Sequence, residues 1–278
     1  YFSRALSYEK SGRIADAIKD IEKGLNLDPS NEEANSKFKD IRDTLEVNVE
    51  ENNDKETEED SLIRSGEMKF SLGNIIEAKK DFEEAIKINP NNAIAYSNLG
   101  LTLHNIKDLK NALVAYNKAI DINPLLAIAF SNRAALKNTL LDPVGAINDA
   151  NKAIEIDPHL ANSYYNLGQS YGALAQPNEA INAYSKCIDY NENFAHAYCQ
   201  RGLAKINLED YEGAISDCKK SISIDPNNAL AYANIGLVKN NLEDYQGAIS
   251  EYDNAIKLDP TNYGFYSNRG ASKIGIQN

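Results

Sequence analysis

The sequence has no tryptophan, a single methionine and only three cysteines in 278 residues. Cys187, Cys199 and Cys218 contain no CxxC pair and cannot all pair with one another, so they read as small buried side chains in a reducing compartment. No run of eighteen apolar residues occurs, and no transmembrane span is visible. No Asn-x-Ser/Thr sequon is present either. Positive charge is in short supply. The net charge of −12 leaves no basic face for a phosphate backbone, which argues against nucleic acid. Much of the excess is local: Glu46 to Asp60 holds eight acids against the lone Lys55. The three histidines, His104, His159 and His196, have no ligand partner at metal spacing. There is no Gly-rich phosphate loop and no Ser-His-Asp or Cys-His set at local spacing. The reading is therefore no catalytic constellation, no metal and no cofactor. No signal peptide is visible, and a cytoplasmic location is expected. Because the chain opens at Tyr1 without Met, a window on a longer protein is expected.

What is there is a period. Pro90, Pro124, Pro158, Pro226 and Pro260 are spaced by 34, 34, 68 and 34 residues, the skipped place being Glu192. Each Pro follows an apolar run and ends a helix. The units fall at 59–92, 93–126, 127–160, 161–194, 195–228 and 229–262, with a partial unit from 263. Each unit reads as two helices; in "LDPVG", Asp142 can cap the second helix and Pro143 suits its first turn. Small residues recur in two columns: Gly66, Gly100, Ala134, Gly168, Gly202, Gly236 and Gly270, and Ala78, Ala112, Ala146, Ala180, Ala214 and Ala248. Gly disfavours a helix interior by about 1 kcal/mol relative to Ala, but small residues let paired helices approach closely.

The signature Tyr96, Leu99, Gly100, Ala112, Tyr116, Ala119 and Pro124 resembles the tetratricopeptide repeat, and the resemblance runs in register from 59 to 278. It implies an all-α fold, a right-handed α-solenoid of tandem helical hairpins whose first helices line a concave groove. The implied role is to hold peptides or partner proteins. Residues 1–46 resemble the end of a first array plus a closing amphipathic helix, with Ala34, Phe38, Ile41 and Leu45 on one stripe. The acidic, Asn-rich stretch over 47–58 reads as a linker, with a longer helix as the alternative. Residues 59–278 form the second array.

The sixth residue of successive units reads Arg64, Asn98, Asn132, Asn166, Gln200, Asn234 and Asn268. The resemblance places this column on the groove face, beside Leu101, Gln169, Leu203 and Leu237. An amide can donate to and accept from a peptide backbone. Some family members, including the superhelix of O-linked GlcNAc transferase, carry a similar Asn ladder that grips substrate backbones. The alternative is that these amides are solvated or bonded to the neighbouring helix. The family's two-carboxylate clamp is not expected, because Asn162 and Asn166 stand where basic residues would be needed, and Ser3 takes the place of the clamp Arg.

A second pattern alternates. The seventh residue runs Leu99, Arg133, Leu167, Arg201, while the twenty-third runs Ala115, Asp149, Ala183, Asp217. Arg goes with Asp and Leu with Ala, so Arg133–Asp149 and Arg201–Asp217 are expected as ion pairs at the hairpin edge. As surface pairs they would contribute about 0–1 kcal/mol each. The functional expectation is a non-enzymatic scaffold that takes an extended segment of a protein or peptide partner. The alternatives are a substrate-recruiting arm of a larger enzyme, and array-to-array assembly. The oligomeric state is not readable from the sequence.

Overall fold

A computed structural model describes residues 57–277. The expected array end over 1–46, including Ser3, and nearly all of the linker over 47–58 lie outside the described residues. Thirteen helices and no strand are found among those described. They are α1 (Glu58–Ser71), α2 (Ile75–Ile88), α3 (Ala93–Asn105), α4 (Leu109–Ile122), α5 (Ala127–Thr139), α6 (Pro143–Ile156) and α7 (Ala161–Ala173). There follow α8 (Pro177–Tyr190), α9 (Ala195–Ile206), α10 (Tyr211–Ile224), α11 (Ala229–Asn241), α12 (Tyr245–Leu258) and α13 (Tyr263–Gly275). The fold is an all-α solenoid of tandem hairpins. It divides into two compact units, one ending at Ala129 and the other beginning at Phe130, inside α5. Within the first unit, α1 to α4 pack each on the next. Within the second, α6 to α13 do the same, and first helices also touch across hairpins, α7 with α9, α9 with α11 and α11 with α13.

One turn design joins the helices of each hairpin. In α5–α6, the Leu141 N–H donates to the Asn138 carbonyl (3.1 Å) and the Asp142 N–H to the Lys137 carbonyl (2.9 Å). This is a Schellman closure, which puts Leu141 in the left-handed region at φ 58°. Lys107, Ala175, Glu209 and Glu243 take the same place at φ 54–66°, and only the first hairpin uses Gly there, Gly73. The next residue starts the second helix. Asp108, Asp142, Asp210 and Asp244 each accept the N–H three residues on, covering a donor the helix itself leaves open.

The small-residue column works through a partner sixteen residues later. A Cβ on Gly66 would lie 2.6 Å from the Phe82 ring. On Gly100 it would lie 2.7 Å from Tyr116, on Gly168 2.6 Å from Tyr184 and on Gly236 3.0 Å from Tyr252. Gly202 faces the smaller Cys218, whose Sγ would be 2.9 Å away. Ala134, the one alanine in the column, shares its buried cluster with Ala150. Ring bulk on the second helix is therefore matched by absence of a side chain on the first. Phe82, Tyr116, Tyr184 and Tyr252 are at most 3 % exposed, and these rings form much of the core.

Candidate functional site

The sixth-residue column divides into amides that bind the scaffold and amides that do not. In the second unit Asn166 is buried, and its Nδ2 donates to the Ser131 carbonyl on α5 (2.8 Å). Asn234 is buried too and donates to the Cys199 carbonyl on α9 (3.2 Å). Each of these amides ties its helix to the first helix of the preceding hairpin, thirty-five residues back. Asn132 and Gln200 are half-buried and Asn268 is exposed. In the first unit Arg64 is exposed, and Asn98 donates to Glu67 Oε1 (2.9 Å). Of the apolar neighbours, Leu203 and Leu237 are half-buried against Ile206, Ala214 and Val238. Gln169 donates to the Tyr165 hydroxyl (3.3 Å).

Two further amides reinforce this stitching, and sequence reasoning missed them. Asn138 donates to the Asn166 carbonyl (2.9 Å) and accepts from the Ser170 hydroxyl (2.7 Å). The Ser272 hydroxyl donates to Asn240 Oδ1 (2.7 Å). The available signal was the shared spacing of 32 residues between an Asn and a Ser.

The first-helix face of the first unit carries a hollow of about 100 Å3 lined by Glu67, Phe70, Phe82, Asn98 and Leu101. A larger cavity of about 470 Å3 opens between α2, α3 and α4, with Leu99, Leu103, Val114 and Ala115 among its lining.

The structure brings Arg133 and Asp149 together. Nε and Nη2 of Arg133 donate to the two carboxylate oxygens of Asp149, both at 2.7 Å, and Lys137 Nζ lies 2.7 Å from the same carboxylate. Arg201, Lys205 and Asp217 repeat the arrangement at 2.7–2.9 Å. These groups are not superficial: Asp149 and Asp217 are each 5 % exposed. Each guanidinium also lies 5.5 Å from the centroid of the ring three residues earlier, Phe130 or Tyr198. Two more hairpins hold the same place with other residues. Lys69 and Ser65 bind Asp81 at 2.6 and 2.7 Å, and Lys239 binds Glu251 at 2.6 Å.

The hairpin period, the Gly–ring fit and the Asp caps describe one repeated unit, and comparison with known sequences agrees. Family models described as TPR repeat match residues 66–107. Models described as tetratricopeptide repeat match 1–31, 93–124, 161–194, 195–228 and 229–262. The chain belongs to the tetratricopeptide repeat family. No curated protein matches it by sequence. Among solved structures, YrrB, titled a TPR protein with an unusual peptide-binding site, is similar. It shares 25 % identity over 68 % of this chain and 97 % of its own, with a TM-score of 0.52. The APC/C hetero-tetramer Cut9–Hcn1 aligns with a TM-score of 0.76 at 17 % identity, over 97 % of this chain. This chain spans 54 % of that one. A tetratricopeptide repeat protein from Parabacteroides merdae aligns with a TM-score of 0.59 at 15 % identity, over 98 % of this chain and 97 % of its own. The last two likenesses speak for the fold alone. Among the described residues no helix is long and apolar enough to cross a membrane, and no three His, Cys, Asp or Glu side chains group as metal ligands.

Proposed function

We propose that this tetratricopeptide repeat chain is a protein-interaction scaffold, without chemistry of its own, and that the first-helix faces of its units each hold an extended segment of a partner. The carrying observation is the hollow at Glu67, Phe70, Phe82, Asn98 and Leu101, which sets an apolar floor beside an amide and a carboxylate. The bond to Glu67 fixes the Asn98 amide and leaves its Oδ1 to accept a peptide N–H. The hollow has room for a single apolar side chain of the same peptide. Asn132, Gln200 and Asn268 are the corresponding contacts proposed for the second unit. Asn166 and Asn234 have a donor committed to neighbouring carbonyls, so their first duty in this reading is to hold adjacent hairpins in register. The likeness to YrrB supports a peptide ligand.

Selection of extended peptides from a random library against the chain gives the ligand for the test. N98A with L101A, and separately N132A with Q200A, are expected to weaken a selected peptide by about tenfold per set, the second set with unchanged thermal stability and the first with a small loss from the Asn98–Glu67 bond and the Leu101 side chain. N166A and N234A are expected to lower stability as well. Unaltered peptide affinity in both groove sets overturns the reading.

A further inference from the structure

The cavity of about 470 Å3 in the first unit shares no lining residue with the hollow at Asn98. It lies where other hairpins place a long side chain, at the meeting of the seventh, eleventh and twenty-third positions of a unit. In α5–α6 and α9–α10 these are Arg, Lys and Asp, bound to one another. In α1–α2 and α11–α12 a Lys at the eleventh position reaches Asp81 or Glu251. In α7–α8 the eleventh position holds a ring, and Tyr171 packs against the cluster that contains Leu167 and Ala183. In α3–α4 the three residues are Leu99, Leu103 and Ala115, too short to close the space, and all three line the cavity. Its volume falls within the range of about 300–1,000 Å3 found for small-ligand pockets. Tyr96 adds a ring to the wall, and Val114, 61 % exposed, lines it towards solvent. Most of the lining charge is committed. Lys79 pairs with Glu83 (2.7 Å), while Asp108 caps α4 and holds the Asn111 amide (2.7 Å). Lys118 is exposed and has no carboxylate partner among the described residues.

We propose that this cavity is a binding site for a small aromatic carboxylate. The ring takes the place that Tyr171 fills in α7–α8, on a floor of Leu99, Leu103 and Ala115 and beside the Tyr96 ring, where an aromatic pair adds to the burial. The carboxylate stays at the rim on Lys118, the cation that no acid claims, in a charge-assisted bond. A flexible acyl chain with the same head group loses more rotamer freedom on entry and offers Tyr96 no ring, so it binds less well.

The test titrates the full chain, labelled at Leu and Val methyls, and follows their NMR shifts. The probes are 2-naphthoate, its neutral counterpart 2-naphthalenemethanol, and octanoate. Naphthoate is expected to shift the methyls of Leu99, Leu103 and Val114 and to bind about tenfold more tightly than octanoate. K118Q is expected to weaken naphthoate by about fivefold and to leave naphthalenemethanol unchanged. L103Y puts the ring of α7–α8 into the space and is expected to abolish binding without lowering the melting temperature. The variant L99R, L103K and A115D copies α5–α6 and closes the same space by another route, so the result does not hang on one substitution. Y171L is expected to open a second hollow, with Lys186 at the place of Lys118, and to add naphthoate shifts at Leu167. Absence of shifts at saturating naphthoate, or shifts that persist in both filled variants, overturns the proposal. So does octanoate bound as tightly as naphthoate, or a naphthoate affinity indifferent to K118Q. Self-association of the chain that L103Y removes while naphthoate fails to bind overturns it too, since the occupant is then a second copy.

Discussion

Two residue-scale choices in this chain run against local preference, and each has a different cause. The hairpin turns put Lys107, Leu141, Ala175, Glu209 and Glu243 at positive φ, where a Cβ crowds the following carbonyl. Leu141 is 88 % exposed, so its side chain gives little burial in return. L141G is expected to stabilise the chain by up to about 1 kcal/mol, the relief of left-handed strain less the added freedom of the unfolded chain. G73A, the reverse change at the same turn place, is expected to destabilise by a similar amount; urea melts check both. The mid-helix glycines are the opposite case, poor for the helix and required by packing. G100A gains helix propensity but drives a methyl to 2.7 Å from the Tyr116 ring. Overpacking of this kind costs about 1–3 kcal/mol, so a net loss is expected. Y116L in the same chain is expected to recover part of it, which a plain propensity effect does not predict.

At the scale of helices, the alternation of charged and apolar hairpins is two solutions to one packing problem. In α5–α6 the carboxylate of Asp149 is 6 % exposed and holds two cations, with Arg133 17 % exposed. In α3–α4 the same positions are Leu99, Leu103 and Ala115. D149A strands two half-buried cations and is expected to cost about 3–5 kcal/mol. The triple variant R133L, K137L and D149A copies α3–α4 and is expected within about 1 kcal/mol of the native chain by chemical denaturation. A loss of well under 1 kcal/mol for D149A alone would show that solvent screens the pair. This coupling was legible in the sequence because Arg and Asp change together at a spacing of sixteen. Its versions at Lys69–Asp81 and Lys239–Glu251 were not, since Ser65 and Ile235 replace the Arg that marks the pattern. The helix period and the caps were legible for the same reason, a fixed residue type at a fixed place. The left-handed turn residue was hidden because Lys, Leu, Ala and Glu share nothing that signals positive φ. The direction of each sixth-residue amide was hidden as well. Asn132 and Asn166 are the same residue in the same column, and only packing against the preceding helix commits Asn166 Nδ2 to a carbonyl.

For the whole molecule, stability in a solenoid is carried from hairpin to neighbouring hairpin, so a local change of charge acts first on its own stretch. The three cysteines all lie in the second unit, on α8, α9 and α10. Each thiol is at most 1 % exposed, and burial pushes each pKa from 9.0 up to about 12. The folded thiols therefore hold their protons where unfolded ones lose them. Their contribution to stability is complete below about pH 9 and falls as pH rises towards 12, because the unfolded chain then loses thiol protons that the folded chain keeps. Tyr165 and Tyr252, raised from 10.0 to about 12 by burial, join the loss only above about pH 10. Between pH 9 and 10 the thiols act almost alone. The first unit has no cysteine, so it is expected to keep its stability through that interval. Hydrogen exchange resolved by segment, at about pH 8 and about pH 10 after correction for intrinsic rates, is expected to show α8 to α11 losing protection while α1 to α4 keep theirs. The variant C187A, C199A and C218A, though less stable at neutral pH, is expected to lose little further protection over the same interval. An equal slope in native and variant chains would mean that the thiols titrate as freely folded as unfolded, contrary to their place in the core.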